Sequence, residues 1–185
     1  MKLQSDRDWH MKEKIVVGVG GAGCNIANQL GAFLACDVLL VNKTGDLPGI
    51  AGACLRLGLP GDRLPTVAAV KSAVEEVAEQ FRRKTMGKAS VILTVGLGGV
   101  TGSGAAPTLA RLARSAGLHL TAVATLPFSF ETDRRTIAES ALDRLRDETD
   151  VLLIHDHAAQ GALREVHESL DEYFGRMARE LSERL

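Results

Sequence analysis

The sequence predicts an α/β domain: a doubly wound, mostly parallel six-stranded sheet with helices on both faces. Short β-branched runs alternate with stretches of helical periodicity along most of the chain. The runs IVVGV, DVLLV, VILTV and DVLLI are continuously apolar rather than alternating, as strands buried on both faces are. Glycine-rich turns follow two of them. Right-handed crossovers between parallel strands then favour the strand order 3-2-1-4-5-6.

In chain order, residues 1–13 form a polar leader and residues 14–185 one domain, a length sufficient for a single buried core. Lys14 to Val19 reads as the first strand and Gly20 to Leu34 as a helix. Asp37 to Asn42 is the second strand, and Ala53 to Leu57 a weak third. One helix is expected from about Thr66 to Arg83, because Val67, Val70, Val74, Val77 and Phe81 recur at helical spacing. Ser90 to Val95 is the fourth strand and Gly102 to Ser115 the next helix. Leu118 to Thr125 is the fifth strand, Thr132 to Arg146 a helix, and Asp150 to His155 the sixth strand. From Gln160 to Leu185, Leu163, Val166, Leu170, Phe174, Met177, Leu181 and Leu185 mark one apolar stripe of a long helix. Glu172 with Arg176 and Glu180 with Arg184 support it as (i, i+4) pairs.

Composition narrows the function. Lys and Arg number 22 against 23 Asp and Glu, and aromatic residues make up only 4%. No net field therefore draws the protein to nucleic acid, and few rings are available to stack on bases. No run reaches the roughly 18 apolar residues of a membrane span. Cys24, Cys36 and Cys54 form no CxxC pair, which argues against a disulfide framework or zinc site and for a reducing, cytoplasmic setting. His155 and His157 flank Asp156 at the end of the sixth strand. Alternate strand residues point to opposite faces, so no metal site is assigned there.

The chemistry lies in two glycine loops. GVGGAG, Gly18 to Gly23, follows the first strand and opens a helix. GLGGVTGSGAAP, Gly96 to Pro107, follows the fourth strand and again leads into a helix. Glycine lets backbone approach phosphate oxygens, and helix N-termini offer free N–H groups at the positive end of a dipole. In the order 3-2-1-4-5-6 the first and fourth strands are neighbours at the switch point, so both loops line one crevice suited to a di- or triphosphate. A dinucleotide-binding Rossmann protein is the alternative, but it needs an acid at the tip of the second strand. Here that tip reads Asn42-Lys43-Thr44. The GxxxxGK[ST] phosphate loop is also absent.

These residues resemble the FtsZ/tubulin superfamily. GLGGVTGSGAAP is close to the family signature GGGTGTGAAP, GVGGAGCN resembles its first phosphate loop, and TLPFSFETDRR resembles its TxPFxFExxxR segment. The likeness implies a Rossmann-like tubulin/FtsZ GTPase domain ending in a long central helix. It implies GTP or GDP as ligand, with Mg2+ accompanying the triphosphate. Gly20, Gly21 and Ala22 would hold phosphates, together with Gly98, Gly99, Thr101, Gly102, Ser103 and Gly104. Glu131 and Arg135, four residues apart on one helix face, would contact the ribose. Asn25 and Asp156 would sit at the base, and Phe174 would stack near it.

The sequence also departs from the family. Val100 replaces the third glycine of the signature, and Lys43-Thr44 stand where the family's second strand ends in Thr-Asp. Asp156 occupies the place of an Asn, and Arg179 that of the guanine-reading Asp. A guanidinium has no acceptor for the guanine N–H groups, so weak discrimination between guanine and adenine is expected. As given, the chain stops on the long helix, before the loop whose acids activate water on a neighbour's nucleotide in this family. Negligible hydrolysis alone, and docking onto a full-length FtsZ-type protein or onto itself, are the expectations. A degenerate interaction module that binds no nucleotide is the competing reading.

Overall fold

The structure, a computed structural model, describes residues 13–43, 53–59 and 65–156, together with residues 175, 176 and 179. Six strands alternate with five helices in these segments: β1 (Lys14–Val19), α1 (Gly20–Leu34), β2 (Asp37–Asn42), β3 (Ala53–Arg56), α2 (Val67–Glu76), α3 (Ala78–Thr85), β4 (Ser90–Gly96), α4 (Val100–Ser115), β5 (His119–Leu126), α5 (Thr132–Arg146) and β6 (Val151–Asp156). The sheet runs β3-β2-β1-β4-β5-β6, and every neighbouring pair is parallel.

Both faces of this sheet are covered, which is why its strands read as unbroken apolar runs. On one side α1 packs Cys24, Ile26, Ala27 and Leu30 against Val16, Leu40, Ile92 and Val123. On the other, α2 to α5 cover a larger cluster that includes Val17, Leu39, Leu93, Leu109, Leu120 and Leu145. Each fully buried aliphatic side chain contributes about 1.5–3 kcal/mol, so these two layers dominate the stability of the domain.

The helix expected from about Thr66 to Arg83 is two helices. At Val77 (φ −100, ψ 8) the chain tightens, the Val77 N–H bonding back to Val74 O at 3.2 Å. That is an i−3 bond, the geometry of a 3₁₀ turn. The Phe81 N–H then bonds Val77 O at 3.0 Å and the helix restarts. Val74 and Phe81 both stay buried across the break. Of the long helix expected over 160–185, residues 175, 176 and 179 are described and are helical. The rest of it, and the leader, lie outside the described residues.

Register decides where a ligand can go. Val19 lies opposite Val41 on one side and Val95 on the other. β1 and β4 therefore finish level with each other. The connection from β1 leaves toward β2 and that from β4 toward β5, so the chain diverges between them and opens a crevice at the carboxyl ends of the strands.

Candidate nucleotide site

α1 starts on the residue after β1. Gly20 takes φ +70, a conformation that L side chains rarely adopt. It brings the two helix starts together: a Cβ at Gly20 would lie 3.4 Å from the Gly102 nitrogen and 3.7 Å from Thr101 Cβ. Neither α1 nor α4 has a side chain capping its N-terminus, and neither has an acid in its first turn. α2 is built differently, since Thr66 Oγ1 accepts the Ala69 N–H at 3.1 Å. Each uncapped end presents unpaired N–H groups and about half an elementary positive charge.

Between them lies a cleft of about 320 Å³. Gly20, Gly21 and Ala22 line one side, Gly99, Val100, Thr101 and Gly102 the other, and Pro127, Phe128, Glu131 and Arg134 close one end. A Cβ at Gly21 or Gly99 would meet nothing within 4 Å. At these two positions the missing side chain leaves space that a ligand can use. Val100, which replaces a family glycine, is half-buried and packs against the core while also lining the cleft.

At the other glycines of the second loop an added Cβ would point into the protein. A Cβ at Gly102 would lie 2.3 Å from the Gly96 carbonyl oxygen, and one at Gly104 would lie 2.8 Å from Val70 Cβ. Gly104 thus permits the close approach of α2 to α4. Gly98 (φ +92) packs under Pro127 and the Arg134 carbonyl. Ser103, fully buried, accepts the Gly98 N–H on its hydroxyl at 2.9 Å and so pins the loop from within. Deeper still, Thr94 donates its hydroxyl to Gly23 O at 2.7 Å, tying the first turn of α1 to β4. Gly98, Ser103 and Gly104 therefore shape the loop from behind, whereas Gly20, Gly21, Ala22, Gly99, Thr101 and Gly102 border the cleft itself.

At the far end, Glu131 and Arg135 do not pair with each other. Arg135 forks onto Asp156, Nη1 to Oδ1 and Nη2 to Oδ2 both at 2.9 Å, and Nη1 also donates to Pro127 O at 2.8 Å. The bond to Asp156 pushes the Arg135 pKa further up, fixing its charge. Glu131 accepts the Phe128 N–H at 3.0 Å and pairs with Arg134. Arg134, which sequence reasoning did not single out, faces the cleft; Arg135 and Asp156 are not among its lining residues. Phe128 and Phe130 stack at this rim, with centroids 5.4 Å apart. Asn25 is half-buried on α1, one turn beyond the lining residues. Arg179 lies with its guanidinium carbon 5.7 Å from the centre of the Phe33 ring. Phe174 and His157 lie outside the described residues. Among those residues no group of three or more His, Cys, Asp or Glu could hold a metal ion, and no helix is long and apolar enough to cross a membrane.

Comparison with known proteins returns this geometry in a known setting. Residues 66–160 match the family model described as Tubulin/FtsZ family, GTPase domain. Cell division protein FtsZ 1 of Thermococcus kodakarensis is 35% identical over 175 residues, covering 83% of this chain and 46% of that protein. Cell division protein FtsZ of Neisseria gonorrhoeae is 32% identical over 149 residues, covering 75% of this chain and 38% of that protein. The chain thus spans less than half the length of these relatives. Among solved structures, an FtsZ dimer of M. jannaschii superposes with a TM-score of 0.78 at 26% identity, covering 98% of this chain and 55% of that one.

Proposed function

The chain belongs to the tubulin/FtsZ family by its GTPase domain, and on that premise we propose that it binds a guanine nucleotide, GTP or GDP, at the cleft between α1 and α4 and acts in or on a cell-division filament. One observation carries the reading. Two uncapped helix N-termini, levelled by the Val19–Val95 register, converge on open space at Gly21 and Gly99. Two such ends favour a polyphosphate over a neutral ligand, because each adds its dipole and its free N–H groups to the same anion.

The finer properties follow from individual residues. Mg2+ is carried by the triphosphate. Among the described lining residues the single carboxylate is Glu131, already engaged by the Phe128 N–H and Arg134. One of its oxygens is held by the Phe128 N–H, and hydrolysis by the 185-residue chain alone is slow. Arg179 stands over Phe33 in the last turn of α1, at the end of that helix remote from Gly20, so it does not decide between GTP and ATP. A full-length FtsZ-type protein, or a second copy, is the partner.

The nucleotide released when the purified protein is denatured, identified by mass spectrometry, tests the assignment. GDP or GTP is expected. NAD or NADP would replace it with the dinucleotide reading. Absence of any nucleotide, with no GDP binding on titration, would favour the interaction module.

A further inference from the structure

The end of the domain remote from the cleft carries a second cavity. α3 and α4 both finish there, and the turns after them lead into β4 and β5, whose first residues Ser90 and His119 lie side by side. The space is about 350 Å³, and Arg82, Arg83, Met86, Lys88 and Leu118 are among the residues that line it. A Cβ at Gly87 or Gly117 would meet nothing within 4 Å, so both turns stand open to approach.

The positive charge here exceeds what the fold uses. The last turn of α3 holds Arg82, Arg83 and Lys84, whereas a helix C-terminus carries only about half a negative charge to offset. Arg82 lies 3.6 Å from Glu79, the single acid among the described lining residues, and Lys88 pairs with Asp37. Arg83 has no ion pair or side-chain hydrogen bond among the described residues. Met86, on the same cavity, is 79% exposed. Arginine and methionine are two of the residue types enriched where proteins meet.

The walls select the kind of ligand. Arg82 and Arg83 are consecutive on a helix and point about 100° apart, so they suit separate acceptors better than one compact anion. The carboxyl ends of α3 and α4 repel phosphate oxygens but accept N–H groups. A peptide offers both partners, with N–H donors along its backbone and carboxylates spaced along its side chains. Met86 and Leu118 add apolar wall for an aliphatic side chain between the acids. The net charge of the whole chain is −1, so no broad field draws this end to nucleic acid or an anionic bilayer.

We propose that this cavity docks an acidic peptide segment of a partner protein, with carboxylates on Arg82 and Arg83 and an aliphatic side chain on Met86 and Leu118. The site is separate from the nucleotide cleft and does not rest on the nucleotide reading.

Titration calorimetry on the 185-residue chain with the blocked peptide Glu-Glu-Leu-Glu-Glu-Leu tests it. The comparisons are its glutamine counterpart, inorganic phosphate, and cosedimentation with vesicles of phosphatidylcholine and phosphatidylglycerol. The acidic peptide is expected to bind at least about tenfold more tightly than the glutamine peptide or phosphate. Arg83→Glu should weaken it about tenfold, Arg83→Gln less, and Met86→Ser about threefold, all melting as the wild type does. Arg83→Gln and Met86→Ser keep the test open should charge reversal disturb α3. The proposal fails if the acidic peptide does not bind the wild type, or binds the wild type and the Arg83 variants equally. It fails too if phosphate or the vesicles bind more tightly than the peptide and are lost with Arg83, which would assign the cavity to a compact anion or a membrane.

Discussion

At one end of the cleft the groups offered to a ligand are backbone N–H groups, at the starts of α1 and α4. At the other end they are the side chains of Glu131 and Arg134, standing on a loop that Arg135 and Asp156 hold in place. The first end is rigid because it continues two central strands. Under the proposed function its selectivity is for charge, since N–H groups do not distinguish one polyphosphate from another. The second end is made of side chains, with half-buried Glu131 held by the Phe128 N–H and paired with the more exposed Arg134. Under the proposed function, backbone recognition at one end and side-chain recognition at the other divide the work of holding a nucleotide.

The largest expected effect separates glycines that serve the fold from those that serve the ligand. Gly102→Val drives a side chain into the Gly96 carbonyl and should destabilise the domain by about 3 kcal/mol, or roughly 6–12 °C in melting temperature. Gly104→Val should do the same by forcing α2 from α4. Gly21→Val and Gly99→Val enter open space; they should melt within about 2 °C of wild type and lose most GDP binding. Thermal unfolding with and without GDP distinguishes these classes. Equal stability across all four variants would break the distinction.

A smaller effect is expected at α2, the helix whose N-terminus is already satisfied. Thr66→Ala removes the cap on the Ala69 N–H and should cost about 1 kcal/mol of stability without altering nucleotide affinity. Denaturant titration measures the first and calorimetry the second. A change in affinity would mean that capped and uncapped helix starts are not independent.

A pH-dependent effect concerns the thiol beneath the glycine end. Cys24 is fully buried, its Sγ 3.4 Å from Gly18 O, and burial pushes its pKa from 9.0 up to about 12. The folded pKa is the higher one, so the stabilisation is complete below pH 9 and declines as pH rises toward 12. Denaturant midpoints between pH 8 and roughly 10.5 should fall more steeply for wild type than for Cys24→Ala. Parallel slopes would show that the thiol ionises in place. Exposed Cys54 should react with a thiol reagent well before Cys24 does.

The glycine end was legible in the sequence and the arginine end only partly so. Strand order followed from continuous apolar runs, and both cleft-lining turns from glycines set between a strand and a helix. Such signals are local, because steric permission belongs to the residue itself. Gly104 shows the limit: its glycine is required by Val70 on another helix, which no local pattern reveals. That Arg135 turns from the cleft depends on Asp156, at the end of the following strand. The resemblance put Glu131 and Arg135 on one helix face as ribose contacts, and in the structure Arg135 forks onto Asp156 while Glu131 accepts the Phe128 N–H. The break at Val77 was hidden because the spacing of buried residues is the same in one helix as in two.

The central claim is that backbone N–H groups at the starts of α1 and α4 hold the phosphate chain. Amide ¹H–¹⁵N spectra recorded while GDP is added test it most directly. The account predicts the largest shifts at Gly21, Ala22, Thr101 and Gly102, with α2 from Val67 onward unaffected. Saturable GDP binding that leaves those four amides unmoved would contradict it.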